Sequence, residues 1–142
     1  MSIENNIIEL GKNAKKSALD MKLCTNEQKN SALKNLVKSL DNNREKILEA
    51  NKIDLENGKK KSLANPLINR LTLTDKSIDG LIKSIEDIIE IPDPVGITLE
   101  SWVRPNGLSF RKISTPLGVL GVIYESRPNV TVDASCLSVK SG

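Results

Sequence analysis

The feature that most constrains this chain is the run Leu117 to Tyr124, which is almost wholly apolar, rich in β-branched residues and interrupted only by Gly118 and Gly121. A short run of this kind predicts a strand buried on both faces, as in a parallel sheet. Polar Glu125, Ser126 and Arg127 follow, and then Pro128, which suits the first turn of a helix because its missing N–H would have no intrahelical partner there. Val130, Ala134, Leu137 and Val139 continue at helical spacing, and Lys140 and Gly142 mark the end of the helix. Strand, polar loop and helix make half a βαβ unit. An α/β sheet binds ligands where its strands end and its helices begin, so the loop from Tyr124 to Asn129 is the candidate site. No GxGxxG fingerprint is present, and pattern alone leaves this loop open between a ligand site and a plain connector. Gly118 and Gly121 read as close-packing positions inside the strand rather than phosphate contacts.

The preceding sequence is helical in pattern. Apolar residues at 3, 7, 8, 10, 14, 18 and 19 predict a first helix from Ile3 to about Leu23. Thr25 followed by Gln28 is a capping-box signature for a second, whose buried face is Ala32, Leu33, Leu36, Val37 and Leu40, with Cys24 in the turn before it. Asp41 is expected to cap a third helix carrying Ile47, Leu48, Ala50, Ile53 and Leu55, ended by Asn57 and Gly58. Gly58 to Lys61 reads as a solvated charge run. After Pro66 a short helix is expected over Leu67 to Leu71, and Thr74 caps a strongly amphipathic one with apolar positions 78, 81, 82, 85, 88 and 89. Pro92 and Pro94 stop it and stiffen Ile91 to Gly96. From Ile97 the period approaches two, and Arg104-Pro105-Asn106-Gly107 has the proline and glycine placement of a β-hairpin turn.

Composition narrows the chemistry. With 142 residues, 38% of them hydrophobic and only three aromatic, Ile and Leu supply most of the core. There is no histidine, which argues against Ser-His triads and zinc sites, and Cys24 and Cys136 lack metal-like or CxxC spacing. Residues 1–70 carry 14 Lys and Arg against 9 Asp and Glu, whereas residues 71–142 carry 7 against 9. The lysines lie within helical patterns without aromatic or glycine interleaving, so they read as a solvated face and not a nucleic-acid surface. No apolar stretch approaches membrane-span length and no signal-peptide pattern opens the chain, which predicts a cytoplasmic protein with no membrane partner.

The segment PLGVLGVIYESRPNVTVDASCLSVKSG resembles the corresponding part of the gamma-glutamyl phosphate reductases, also called glutamate-5-semialdehyde dehydrogenases, within the aldehyde dehydrogenase superfamily. ILEANKIDLENGKK, LINRLTLTDKSIDGL and IPDPVG resemble the same family in the same order, so the likeness covers nearly the whole chain. The resemblance implies an α/β fold of N-terminal helices over residues 1–90, a β-hairpin oligomerisation arm over 91–115, and the first strand, loop and helix of a Rossmann-type domain over 116–142. It implies an NADPH-dependent reduction of L-glutamyl 5-phosphate to the semialdehyde in proline biosynthesis, a homo-oligomer, and glutamate 5-kinase as a partner. The family continues into a second domain that carries the nucleophilic cysteine, so the resemblance also implies a truncated, N-terminal part that is inactive alone. The alternative is a non-catalytic segment that binds nucleotide or partner subunits.

Such a reductase needs a thiolate, oxyanion donors and a nicotinamide. Cys136 and Cys24 read as packing residues and not as that thiolate. By resemblance Tyr124, Glu125, Ser126 and Lys140 are the cofactor-binding candidates, Arg127 the residue for an anionic substrate group, and Asn129 the oxyanion donor. No metal ligand is predicted. The residues themselves leave another arrangement open, in which Arg127 pairs with Glu125 or Asp133 and Asn129 caps the helix. Unpaired edges of the 97–114 hairpin and of the 117–124 strand predict association between chains.

Overall fold

The computed structural model describes residues 2–142. Five helices precede a two-stranded hairpin, and one follows it: α1 Ile3–Met21, α2 Asn26–Asn42, α3 Arg44–Lys60, α4 Asn65–Leu71, α5 Asp75–Glu90, β1 Thr98–Val103, β2 Ser109–Ile113 and α6 Pro128–Lys140. Among the described residues no helix is long and apolar enough to cross a membrane.

The core is the seam between α2, α5 and α6. Leu33, Ile85, Ile88 and Cys136 form its buried centre, flanked by half-buried Leu36, Val37, Leu40, Ile89, Val132 and Val139. α5 supplies the largest share because Ile78, Leu81, Ile85 and Ile88 recur on one face. Its start is set by Thr74, whose hydroxyl accepts from the Ser77 N–H while the Ser77 hydroxyl accepts from the Thr74 N–H. The predicted box at α2 forms in the same way between Thr25 and Gln28. Each reciprocal cap satisfies two backbone donors and is worth about 1 kcal/mol.

Several boundaries differ from the sequence expectation. Asp41 does not cap α3: it stays inside α2, and Asn43 is the break. Asp41 instead joins Asp75 and Asp79 around the Arg44 guanidinium, at 3.0, 3.6 and 2.7 Å, so the arginine ties the α2–α3 corner to the start of α5. Gly58 does not end α3, which runs on to Lys60, and Ser62 takes the left-handed conformation at φ 54°. A Cβ at Gly58 would lie 2.9 Å from Ile68 and 3.1 Å from Leu63, so the glycine is there for close approach of α4. Asn51, also buried, donates to the Leu71 carbonyl and accepts from the Leu73 N–H, both at 2.8 Å, and so fastens the α4–α5 connection to α3. Ala50 and Ile53, expected on the buried face of α3, are exposed.

The hairpin forms where predicted. Gly107, at φ 82°, donates to the Arg104 carbonyl across the turn, and Trp102 stacks on its cross-strand partner Phe110 at 5.6 Å. The sheet contains these two strands only among the described residues, and both are exposed throughout.

The largest correction concerns Leu117 to Tyr124. The segment forms no regular structure and pairs with no strand, and Leu117 and Ile123 are 90% and 102% exposed. Gly118 adopts φ 96°, a positive value outside strand geometry. A strand needs neighbours for its backbone and for both faces, and the described residues provide no strand beside it.

Candidate functional site

The site is assembled at the N-terminus of α6. The chain arrives along 117–124, turns through Ser126 in the left-handed region at φ 51°, and enters the helix at Pro128. Arg127 is the N-cap residue but makes no side-chain cap hydrogen bond; Pro128 has no N–H and the Val130 N–H donates to the Arg127 carbonyl at 3.1 Å, so of the first three helical residues the backbone N–H of Asn129 is the one left for a ligand at the positive end of the helix. Tyr124 is tethered back to the helix by a 2.6 Å hydrogen bond between its hydroxyl and that of Thr131.

Arg127 and Glu125 are both exposed, and neither takes part in an ion pair among the described residues. Asn129 does not cap the helix: its Nδ2 donates to Asp133 Oδ2 at 3.5 Å, one turn further along. Asp133 Oδ1 accepts from the Ser84 hydroxyl of α5 at 3.3 Å. The structure therefore brings Tyr124, Glu125, Ser126, Arg127 and Asn129 to one helix end and leaves the guanidinium unpaired. Behind the loop a cavity of ≈ 350 Å³ opens between Leu120, Val122 and Tyr124 on one side and Thr131, Ala134, Ser135, Ser138 and Val139 on the other.

Lys140 lies at the opposite end of α6, away from that loop. It is only 3% exposed, and its ammonium donates to Asn26 Oδ1, Asn30 Oδ1 and the Ile89 carbonyl at 3.1, 2.7 and 3.0 Å. Three N–H groups meet three acceptors, which leaves no donor for a cofactor. Lys29, also 3% exposed, donates to the Lys140 carbonyl at 3.3 Å and pairs with Asp93 at 2.6 Å. Desolvation pushes the Asp93 carboxyl up, but hydrogen bonds from Lys29 and the Val95 N–H, with the charges of Lys29 and Lys140, outweigh it and hold the carboxyl below its usual range. Sequence reasoning missed this knot because lysine is ordinarily a surface residue; the nearest signal was Lys29 inside the α2 pattern.

Cys136 is fully buried against the core, and burial together with nearby Asp133 pushes its thiol up. A protonated, enclosed thiol is a packing group. Cys24 sits in the α1–α2 turn, with its thiol directed to the Asp20 carbonyl at 3.7 Å. Leu137, expected on the buried face of α6, is exposed instead.

No family model matches the chain. Curated relatives do: it is 46% identical over 141 residues to the gamma-glutamyl phosphate reductase of Ruthia magnifica subsp. Calyptogena magnifica, covering 99% of this chain and 34% of that protein. It is 47% identical over 134 residues to the enzyme of that name from Brucella suis biovar 1, covering 94% and 32%. The crystal structure of gamma-glutamyl phosphate reductase from Thermotoga maritima superimposes with a TM-score of 0.91 at 42% identity, covering 94% of this chain and 32% of that one. The Saccharomyces cerevisiae reductase gives 0.89 at 36% identity, covering 94% and 34%. The chain spans about a third of the length of the relatives it matches. Likeness to the gamma-glutamyl phosphate reductases, in sequence and in fold, thus runs over almost every residue of this chain.

Proposed function

We propose that this chain is the N-terminal part of a reductase that converts L-glutamyl 5-phosphate to the 5-semialdehyde and phosphate in proline biosynthesis, with NADPH as reductant. The family likeness along the whole chain carries this reading. The loop fits it chemically. An unpaired arginine next to the positive end of a helix and the Asn129 backbone N–H suits a phosphate or carboxylate, since the guanidinium fork binds such groups through two parallel bonds. The same donor set suits the anionic part of a dinucleotide, with Tyr124, Glu125 and Ser126 at its edge; when bound, the nicotinamide supplies the hydride. Arg127 holds the acid group of the substrate, and Asn129 offers an amide N–H to the oxygen on which charge develops. Neither cysteine of this chain is the nucleophile in this reading. A homo-oligomer joined through the hairpin, contact with glutamate 5-kinase and a cytoplasmic setting belong to the same proposal.

The competing reading is a non-catalytic nucleotide-binding or assembly segment, which the exposed 117–124 run and the inert Cys136 favour. Turnover decides between them. The chain alone is expected to show no NADPH oxidation with glutamyl phosphate, and a chimaera joining it to the remaining length of a full-length relative is expected to be active. In that chimaera Arg127→Ala or Asn129→Ala lowers kcat/KM by about ten-fold to a thousand-fold, the range for losing a positioned charge or oxyanion donor. An inactive but folded chimaera would favour the competing reading.

A further inference from the structure

We propose that Asp133, anchored by Ser84, is a positioning residue that sets the orientation of the Asn129 carboxamide. The inference rests on the reading of Asn129 as an oxyanion donor.

Asp133 spends one oxygen on each neighbour: Oδ1 accepts from the Ser84 hydroxyl at 3.3 Å and Oδ2 from Asn129 Nδ2 at 3.5 Å. The chain of contacts starts at the firmest place in the molecule. Ser84 precedes Ile85, which is 0% exposed at the centre of the core, so the hydroxyl is carried by a helix that cannot shift without opening that seam. α5 and α6 pack directly on each other, and Asp133 is half-buried between them.

A carboxamide rotates about its last torsion between broad minima, and nothing covalent decides which face its N–H groups present. A carboxylate can only accept. It therefore selects the rotamer that turns Nδ2 toward it, and rejects the flipped one that would turn the carbonyl oxygen toward it. One Nδ2 hydrogen is then used by Asp133, and the second stays free for a reacting oxygen. The placement also keeps the negative charge back. The two Nδ2 hydrogens point in different directions, so the carboxylate that takes one, at 3.5 Å, lies off the line along which the other meets the reacting oxygen. Both bonds are long, within the range in which catalytic contacts often lie before substrate binds.

The test is a double-mutant cycle in the chimaera, with a spectroscopic arm on the 142-residue chain itself. Asp133→Ala is expected to lower kcat about five-fold to twenty-fold with little change in KM when Asn129 is present, and by less than about two-fold when Asn129 is already alanine. Asp133→Asn, which can still present a carbonyl oxygen, recovers part of the loss, and Ser84→Ala gives a smaller fall of the same kind. In the chain, the Asn129 side-chain amide proton resonances move on Asp133→Ala while the backbone amide pattern of α5 is kept. Equal kcat losses in the two Asn129 backgrounds would overturn the relay. Wild-type kcat/KM in Asn129→Ala would instead overturn the oxyanion reading on which it rests. Asn129 amide signals unmoved by Asp133→Ala would overturn the positioning contact whatever the kinetics show.

Discussion

Between Ile78 and Ile88 four aliphatic side chains of α5 are buried, whereas between Leu117 and Ile123 five aliphatic side chains of a comparably apolar run are exposed. The two regions differ in what their backbones require. A helix closes its own hydrogen bonds and needs a partner for one face only, and α2 and α6 supply that face to α5. A strand buried on both faces needs partners in every direction, and among the described residues no strand lies beside 117–124. Apolar content alone therefore does not say what will be buried. The number of partners an element needs, set against the number within reach, does.

The largest effect that tests this contrast is Ile85→Ala. A fully enclosed isoleucine at the centre of the seam is expected to cost about 4 kcal/mol, read as a fall in the denaturant midpoint. A loss below about 1 kcal/mol would mean that the seam is not the molecule's core. Next comes Asp93→Asn, which leaves the Lys29 ammonium, with only 2% of its side chain exposed, short of its counter-charge, and is expected to cost about 2 kcal/mol. Because the Asp93 carboxyl lies below its ordinary value of 3.8, its contribution is present above that pH and is lost as pH falls through the lower, folded value. Acid titration should accordingly destabilise the natural chain below about pH 4 more steeply than the Asp93→Asn variant. Parallel curves would remove the carboxylate from the account. Trp102→Ala breaks the stack on Phe110, and the loss of about 1 kcal/mol should appear as faster amide exchange confined to β1 and β2. The smallest effect belongs to Ile123→Thr, within about 0.5 kcal/mol at low protein concentration. If that substitution costs as much as Ile85→Ala, the 117–124 run is buried in an assembly of chains. Light scattering across a concentration series, with Phe110→Asp and Val119→Asp alongside, would then show a multimer that these charges dissolve.

Features carried by local rules were legible in the sequence. The Thr25 box, the Thr74 cap, the stripe of α5 and the Arg104–Gly107 turn depend on residues at most a few positions apart, and each formed as read, Ser77 adding the reciprocal bond at Thr74. Features that depend on distant neighbours were not. Gly58 looked like a helix stop because glycine usually is one, and its use as a seat for Ile68 and Leu63 appears only once α4 folds back. Asp41 had the chemistry of a cap, but the Arg44 guanidinium collects three aspartates from two helices and claims it. At the candidate site the loop and its helix were readable from Pro128, and Asn129 and Asp133 stand at helical spacing, while the step from Asp133 to Ser84 crosses two helices and left no trace in spacing.

The Lys29–Lys140 knot also sets an order of events in folding. Its hydrogen bonds between α2 and Lys140 join residues 110 to 114 positions apart, so closing that loop carries an entropy cost on the order of 4 kcal/mol before any of these forms. α2 and α5 meet across a shorter separation and can pair first, leaving Asn26, Asn30 and the Ile89 carbonyl hydrated and waiting. Docking of α6 is then the late step, and Lys140 the residue that completes it. Until that ammonium is seated, the far end of the same helix, with Arg127 and Asn129, has no settled direction, so the candidate site acquires its geometry only when the chain has closed on its own beginning.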